Sequence, residues 1–173
     1  KLHPGLIYTR VSGYGQTGPL ATRPGFASAC EAMGGLRHVN GFPGEASVRP
    51  NISLGDTLAG QQAAFGAVLA LLARERGLAQ SSEGGSGEVG GGGQVIDASI
   101  IESVFSVLEG ILPEYSGNGS VRGPSGSSVT GIVPTGTYCC GDGVSVVIGA
   151  NSNSLFKRLA TVMGREDMGE DDA

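Results

Sequence analysis

The sequence predicts an α/β fold, and three observations carry the prediction. An apolar run at residues 6–11 is cut by a glycine-rich turn, a long apolar segment with helical character covers 57–76, and a second short run at 94–99 leads directly into another helical pattern. Strands alternating with helices imply a sheet with helices layered on it. Toward the C-terminus, residues 132–148 alternate as a β-hairpin does, which opens a separate, smaller α+β substructure.

Taken in order, Leu6-Ile7-Tyr8-Thr9-Arg10-Val11 reads as a buried strand, ended by Gly13, Gly15 and Gly18-Pro19. Residues 25–35 place Phe26, Ala29, Cys30 and Met33 at helical spacing and close on Gly34-Gly35, so a short, half-buried helix with a glycine C-cap is expected. A Gly- and Pro-rich stretch at 41–50 leads to the segment around Asp56. From 57 to 76 apolar residues occupy nearly every face, the pattern of a helix buried or packed on two sides. Its close, Arg74-Glu75-Arg76-Gly77, puts cations where the helix dipole favours them, followed by a glycine cap.

Residues 80–93 are rich in Gly and Ser, the composition of a solvated insertion loop. The glycines at 90–93 read as linker rather than phosphate cradle, because no helix follows directly to supply a dipole. Order resumes with a strand at 94–99 and an amphipathic helix from 99 to 112, followed by a loop at 116–128. The hairpin turns at Gly141-Asp142-Gly143, and a last helix covers 154–163. The expected organisation is a larger α/β domain over 1–115, a linker at 116–130 and the start of a smaller domain over 131–173.

With 11 Lys and Arg against 16 Asp and Glu, the formal charge of −5 argues against a nucleic-acid surface. No apolar run approaches the ~20 residues needed to span a bilayer, so no membrane partner is expected. Cys30, Cys139 and Cys140 form neither a C-x-x-C pair nor an even set, which fits a reducing compartment. The cytosol is expected, with the mitochondrion as the alternative. His3 and His38 lack metal-ligand spacing, so no metal site is expected, and His38 reads as structural or exposed. The absence of an initiating Met suggests an internal piece of a longer chain.

Asp56 is the candidate for chemistry. An acid immediately before a long helix sits where backbone N–H groups lack partners and the dipole is positive. On local sequence alone it reads first as an N-cap, contributing about 1 kcal/mol of helix stability. Gln16 either contacts a substrate carboxylate or bonds its own turn. Arg23 and Arg37 are candidates for phosphates or an acidic acceptor, or are simply solvated.

Two ordered segments, Ser-Gly-Tyr-Gly-Gln-Thr-Gly-Pro at 12–19 and Asn-Ile-Ser-Leu-Gly-Asp-Thr-Leu-Ala-Gly at 51–60, resemble the class III coenzyme A transferases. These include formyl-CoA, oxalate-CoA and succinate-hydroxymethylglutarate transferases. The resemblance extends through Arg23-Pro24-Gly25-Phe26, Gly34-Gly35, Arg74-Glu75-Arg76, 93–99 and 131–138, which is nearly the whole chain apart from the Gly-Ser loop. It implies a Rossmann-like large domain, an interlocked homodimer, and an acyl-CoA and a small carboxylic acid as partners. The CoA thioester would be substrate, and no resident cofactor is implied.

The resemblance makes Asp56 a covalent acyl carrier, with Gln16, Arg23, Phe26, Gly55 and Gly131 as candidates for the substrate and CoA site. The related α-methylacyl-CoA racemases carry a histidine at the position of Phe26, thirty residues before the aspartate (56 − 26 = 30). Phe cannot move a proton, so racemisation is disfavoured. The formyl-CoA transferase branch has Tyr then Glu where this chain has Phe26-Ala27, so that branch's acyl specificity does not carry over. Its mobile glycine loop is matched here by Ser128-Val129-Thr130-Gly131-Ile132, with a single Gly. Two other readings stand beside the transferase: a catalytically inactive fragment or interaction module, and an acyl-CoA racemase on the same fold.

Overall fold

A computed structural model describes residues 3–77 and 92–169. Most of the Gly-Ser loop expected at 80–93 lies outside the described residues. At its end, Gly93 donates its N–H to the Pro4 carbonyl at 2.7 Å. The chain forms two compact units, one of residues 1–38 and 48–121, the other of 39–47 and 122–173.

In the first unit, strand β1 (Tyr8–Ser12) pairs in parallel with β2 (Val95–Ser99), in register from Tyr8 opposite Val95 to Ser12 opposite Ser99. The connection carries helices α1 (Ala27–Met33), α2 (Leu36–Val39) and α3 (Leu54–Glu75). A parallel pair requires a crossover of this kind. β1 is shorter and more exposed than a buried strand: β2 is its one described ladder partner, and the Tyr8 and Val11 side chains lie open.

α3 packs on one side. Its buried residues are Gly55, Ala59, Ala63 and Ala70, while Phe65, Val68, Leu69 and Leu72 are exposed among the described residues. The expectation of packing on two sides is therefore not met. Small residues on the inner face let the helix approach the sheet closely: a Cβ on Gly66 would lie 2.9 Å from Ile96 Cγ2.

The helix expected at 99–112 is two helices, α4 (Ile100–Phe105) and α5 (Ile111–Asn118). α4 begins with a serine N-cap: the Ser99 hydroxyl accepts the Glu102 N–H at 3.3 Å and donates to the Glu102 carboxylate. Pro113 explains the break. It lacks an N–H for the Glu109 carbonyl and its ring would clash there, so it is tolerated only in a helix's first turn. Glu109 takes a left-handed φ of 52°, and α5 starts afresh with Pro113 in its first turn. The loop expected from 116 accordingly begins after Asn118. The unit's core is Cys30, Ala59, Ile100 and Val104, with Tyr14, Leu36, Leu58 and Ile101 packed against it.

In the second unit, β3 (Thr135–Cys139) and β4 (Ser145–Gly149) form the expected antiparallel hairpin. Its turn is closed by Cys140 N–H to Val144 O at 2.7 Å and Gly143 N–H to Cys140 O at 3.0 Å. Helix α6 (Asn153–Val162) follows, its Leu155 N–H capped by the Ser152 hydroxyl at 3.4 Å. Residues 39–47 join this unit through Gly126 N–H to Gly41 O at 2.8 Å. No helix among the described residues is long and apolar enough to cross a membrane.

Candidate active site

α3 starts at Leu54, after Ser53, so Asp56 lies inside its first turn rather than ahead of it. This corrects the capping role: Asp56 is not the N-cap, and Ser53, at that position, makes no side-chain capping bond either. The acceptor comes from another helix. Glu31 of α1, fully buried, accepts the Gly55 N–H on Oε1 at 3.1 Å. Its other oxygen, Oε2, accepts from Arg37 Nε at 3.0 Å and Nη2 at 2.9 Å. Arg37 is thus paired with a buried carboxylate rather than simply solvated.

Gly55 fits where no side chain would. A Cβ there would meet Ile100 Cγ2 at 2.9 Å, Glu31 Cγ at 3.3 Å and Val104 Cγ2 at 3.4 Å. The adjoining Asp56 side chain is exposed and has no hydrogen-bond or ion-pair partner among the described residues. Its own N–H likewise has no protein acceptor among the described residues. A carboxylate in a helix's first turn is stabilised by about 0.3–1 kcal/mol through the dipole. The result is a free anion beside a free N–H donor, on backbone held rigidly one residue earlier.

The turn after β1 is held in a parallel way. Gly15 N–H bonds Ser12 Oγ at 3.0 Å, and Gln16 N–H donates to Asp97 Oδ2 of β2 at 2.7 Å. Gln16 is therefore tied by its backbone to the second strand. Gly13 and Gly25 touch backbone to backbone, which brings the turn against the start of α1. Cys30 donates its thiol to the Gly13 carbonyl at 3.4 Å, and the Tyr14 hydroxyl donates to Met33 Sδ at 3.3 Å. Burial pushes the Cys30 thiol above its ordinary value; the neighbouring Tyr14 hydroxyl opposes this, and the charges of Asp56 and Glu31 add to the rise. Tyr14 is raised as well, first by burial and then by Cys30, against the lowering pull of Arg23.

Asp56, Gly55, Gln16, Arg23 and Phe26 all belong to the first unit. Phe26 sits at the N-cap position of α1 with its ring 76% exposed. Arg23 is exposed, and its field reaches the Tyr14 hydroxyl. Gly131 belongs to the second unit, in a tight turn closed by Ile132 N–H to Val129 O at 3.2 Å, with φ of 81°. Sequence reasoning missed Glu31 and Asp97, each of which holds the backbone beside a candidate residue.

The family model for CoA-transferase family III matches residues 1–173. This chain belongs to CoA-transferase family III. Among curated family members, it is 42% identical over 170 residues to succinyl-CoA–D-citramalate CoA-transferase of Chloroflexus aurantiacus, covering 98% of this chain and 39% of that protein. It is 29% identical over 163 residues to human succinyl-CoA:glutarate CoA-transferase, covering 94% of this chain and 34% of that protein. The chain thus spans less than half the length of the curated relatives it matches. Among solved structures, it superposes with a TM-score of 0.73 and 26% identity on a CAIB/BAIF family protein from Brucella suis, covering 98% of this chain and 41% of that one. The α/β architecture of this family III chain agrees with that neighbour.

Proposed function

We propose that the full-length protein transfers CoA from an acyl-CoA donor to a carboxylic acid acceptor, with Asp56 as the covalent carrier. The observation that carries this reading is the Asp56 carboxylate itself: exposed, without a partner among the described residues, and in a helix first turn beside its own unclaimed N–H. Nucleophilic catalysis needs an ionised attacking group and donors directed at the developing oxyanion. A carboxylate engaged in capping would have an attacking oxygen and a first-turn N–H already occupied.

In this reading an Asp56 oxygen attacks the thioester carbonyl. The C–S bond breaks, CoA leaves as thiolate, and a mixed anhydride remains. Thiolate then attacks the Asp56 carbonyl carbon, expelling the donor acid and leaving an aspartyl-CoA thioester. The acceptor carboxylate attacks that carbon, releases thiolate and forms a second anhydride. Attack of thiolate on the acceptor carbonyl gives the new acyl-CoA and returns the Asp56 carboxylate.

The donor in this proposal is succinyl-CoA and the acceptor a dicarboxylic acid. Relatives named for D-citramalate, L-malate and glutarate share succinyl-CoA in their names, and all three acids are dicarboxylic. Arg23, exposed beside the glycine turn, is the candidate cation for the distal carboxylate or a CoA phosphate. Gln16 and Phe26, in the same unit as Asp56, are the further candidates for substrate and CoA contacts, whereas Gly55, buried with its N–H given to Glu31, serves by placing Asp56. An interlocked cytosolic homodimer belongs to the same proposal, and mass in solution tests the oligomer. Phe26 offers no proton, which keeps racemisation the less favoured chemistry.

The test of activity is direct. The full-length protein is incubated with succinyl-CoA and each of D-citramalate, L-malate and glutarate, and products are resolved by mass spectrometry. Formation of the acceptor's CoA thioester with equimolar succinate supports the reading. Release of free CoA alone, or no turnover with any acid, contradicts it.

A further inference from the structure

We infer that Glu31, clamped by Arg37, is the positioning residue for the nucleophilic carboxylate; the inference rests on the reading of Asp56 as acyl carrier. Three observations carry it. Glu31 is fully buried, a rare state for this residue type unless it is paired. Both of its oxygens are committed, Oε1 to the Gly55 N–H at 3.1 Å and Oε2 to two nitrogens of Arg37 at 2.9 and 3.0 Å. Gly55 is also closed in on its other side, where a Cβ would lie 2.9 Å from Ile100 Cγ2.

Together these contacts fix the peptide that precedes Asp56, and with it the direction in which the carboxylate leaves the helix. Glu31 also selects which first-turn donor is used up. It takes the Gly55 N–H and leaves the Asp56 N–H without a protein acceptor among the described residues. Arg37 has the second task of neutralising Glu31. Without it, Glu31 would be an uncompensated charge in a fully buried position, a costly state that would loosen its hold on the Gly55 N–H. The bidentate fork suits this role, since a guanidinium holds a carboxylate in one orientation as well as balancing it.

The experiment compares full-length wild type with Glu31→Gln, and with the double variant Glu31→Gln/Arg37→Gln, using succinyl-CoA as the probe. Three quantities are read: the rate of hydroxylamine-trappable acylation at Asp56, the kcat and KM for succinyl-CoA, and the thermal midpoint. Misplacing a reacting group by a fraction of an ångström to an ångström costs on the order of ten- to a hundred-fold in rate. A loss of that size in acylation rate and kcat, with KM within about two-fold, is therefore the expected result for a positioning residue. The double variant removes both charges together and decides the matter if the single variant fails to fold. Wild-type rates in a variant with a lowered thermal midpoint would show a purely structural pair and overturn the inference. Absence of trapping at Asp56 in wild type would instead remove the acyl-carrier reading, and the inference with it.

Discussion

Gly13 and Gly25 meet backbone to backbone, so closely that a Cβ on Gly25 would lie 2.7 Å from Gly13 Cα and 3.2 Å from Cys30 Sγ. This contact joins the turn after β1 to the start of α1, and so sets where Phe26, Cys30 and Glu31 stand. Gly25→Ala has no flexible neighbour to displace at the shortest contact. Overpacking of this kind costs about 1–3 kcal/mol. Urea denaturation of the full-length protein should show a lower midpoint with an unchanged slope; an unchanged midpoint would mean the two backbones can part freely.

Arg37→Gln should be more damaging to stability than an ordinary arginine substitution. The Arg37 and Glu31 side chains are 17% and 0% exposed, so the variant strands a carboxylate with no compensating charge. Breaking a buried pair from one side costs about 3–5 kcal/mol. The expected pattern in equilibrium unfolding is a large loss for Arg37→Gln and a smaller one for Glu31→Gln/Arg37→Gln, which leaves no orphan charge. Equal losses would deny the pair its buried character.

Phe26→Ala should separate stability from binding. With the ring 76% exposed, its removal should shift the unfolding free energy by no more than about 0.5 kcal/mol. If the ring forms part of the acyl-CoA site, KM for the donor rises while the unfolding curve stays in place. A destabilised variant with unchanged KM would make Phe26 a packing residue.

Stability should fall at alkaline pH through Cys30. Its folded pKa is raised above the ordinary 9.0, chiefly by burial, so the folded protein holds the thiol proton more tightly than the unfolded chain does. The associated stabilisation is complete below the unfolded pKa and is lost as pH rises through the folded one. Thermal midpoints across the alkaline range should decline in wild type and decline less in Cys30→Ala. Tyr14, also raised from 10.0, leaves a residual slope at the highest pH. Identical slopes in the two proteins would contradict the shift.

Much of the fold was legible because glycine and periodicity punctuate the chain. The run before Gly13 gave β1, Gly34 closed α1, and Gly141-Asp142-Gly143 turned the hairpin. Pro113 was harder, since a proline at the end of an apolar pattern reads as a stop when it can also mark a fresh first turn. The apolar faces of α3 suggested burial, but hydrophobicity alone does not say whether a covering surface lies within the same chain. At the site, Asp56 was visible from its motif, whereas Glu31 was not. A single acid on a short helix reads as solvated, and its partners, Gly55 twenty-four residues on and Arg37 six on, follow no local spacing. The Asp97 contact with Gln16, eighty-one residues apart, is hidden for the same reason.

The central claim is that Asp56 carries the acyl group, and one measurement addresses it most directly. Full-length protein is mixed with succinyl-CoA, quenched with hydroxylamine and digested, and the peptide containing residue 56 is examined by mass spectrometry beside an Asp56→Asn control. Hydroxylamine attacks the Asp56 carbonyl in either the anhydride or the thioester and leaves a hydroxamate on that side chain. The account predicts a hydroxamate at Asp56 in wild type and none at that position in the control. An unmodified Asp56 in a protein that nevertheless converts succinyl-CoA to a new acyl-CoA would contradict it.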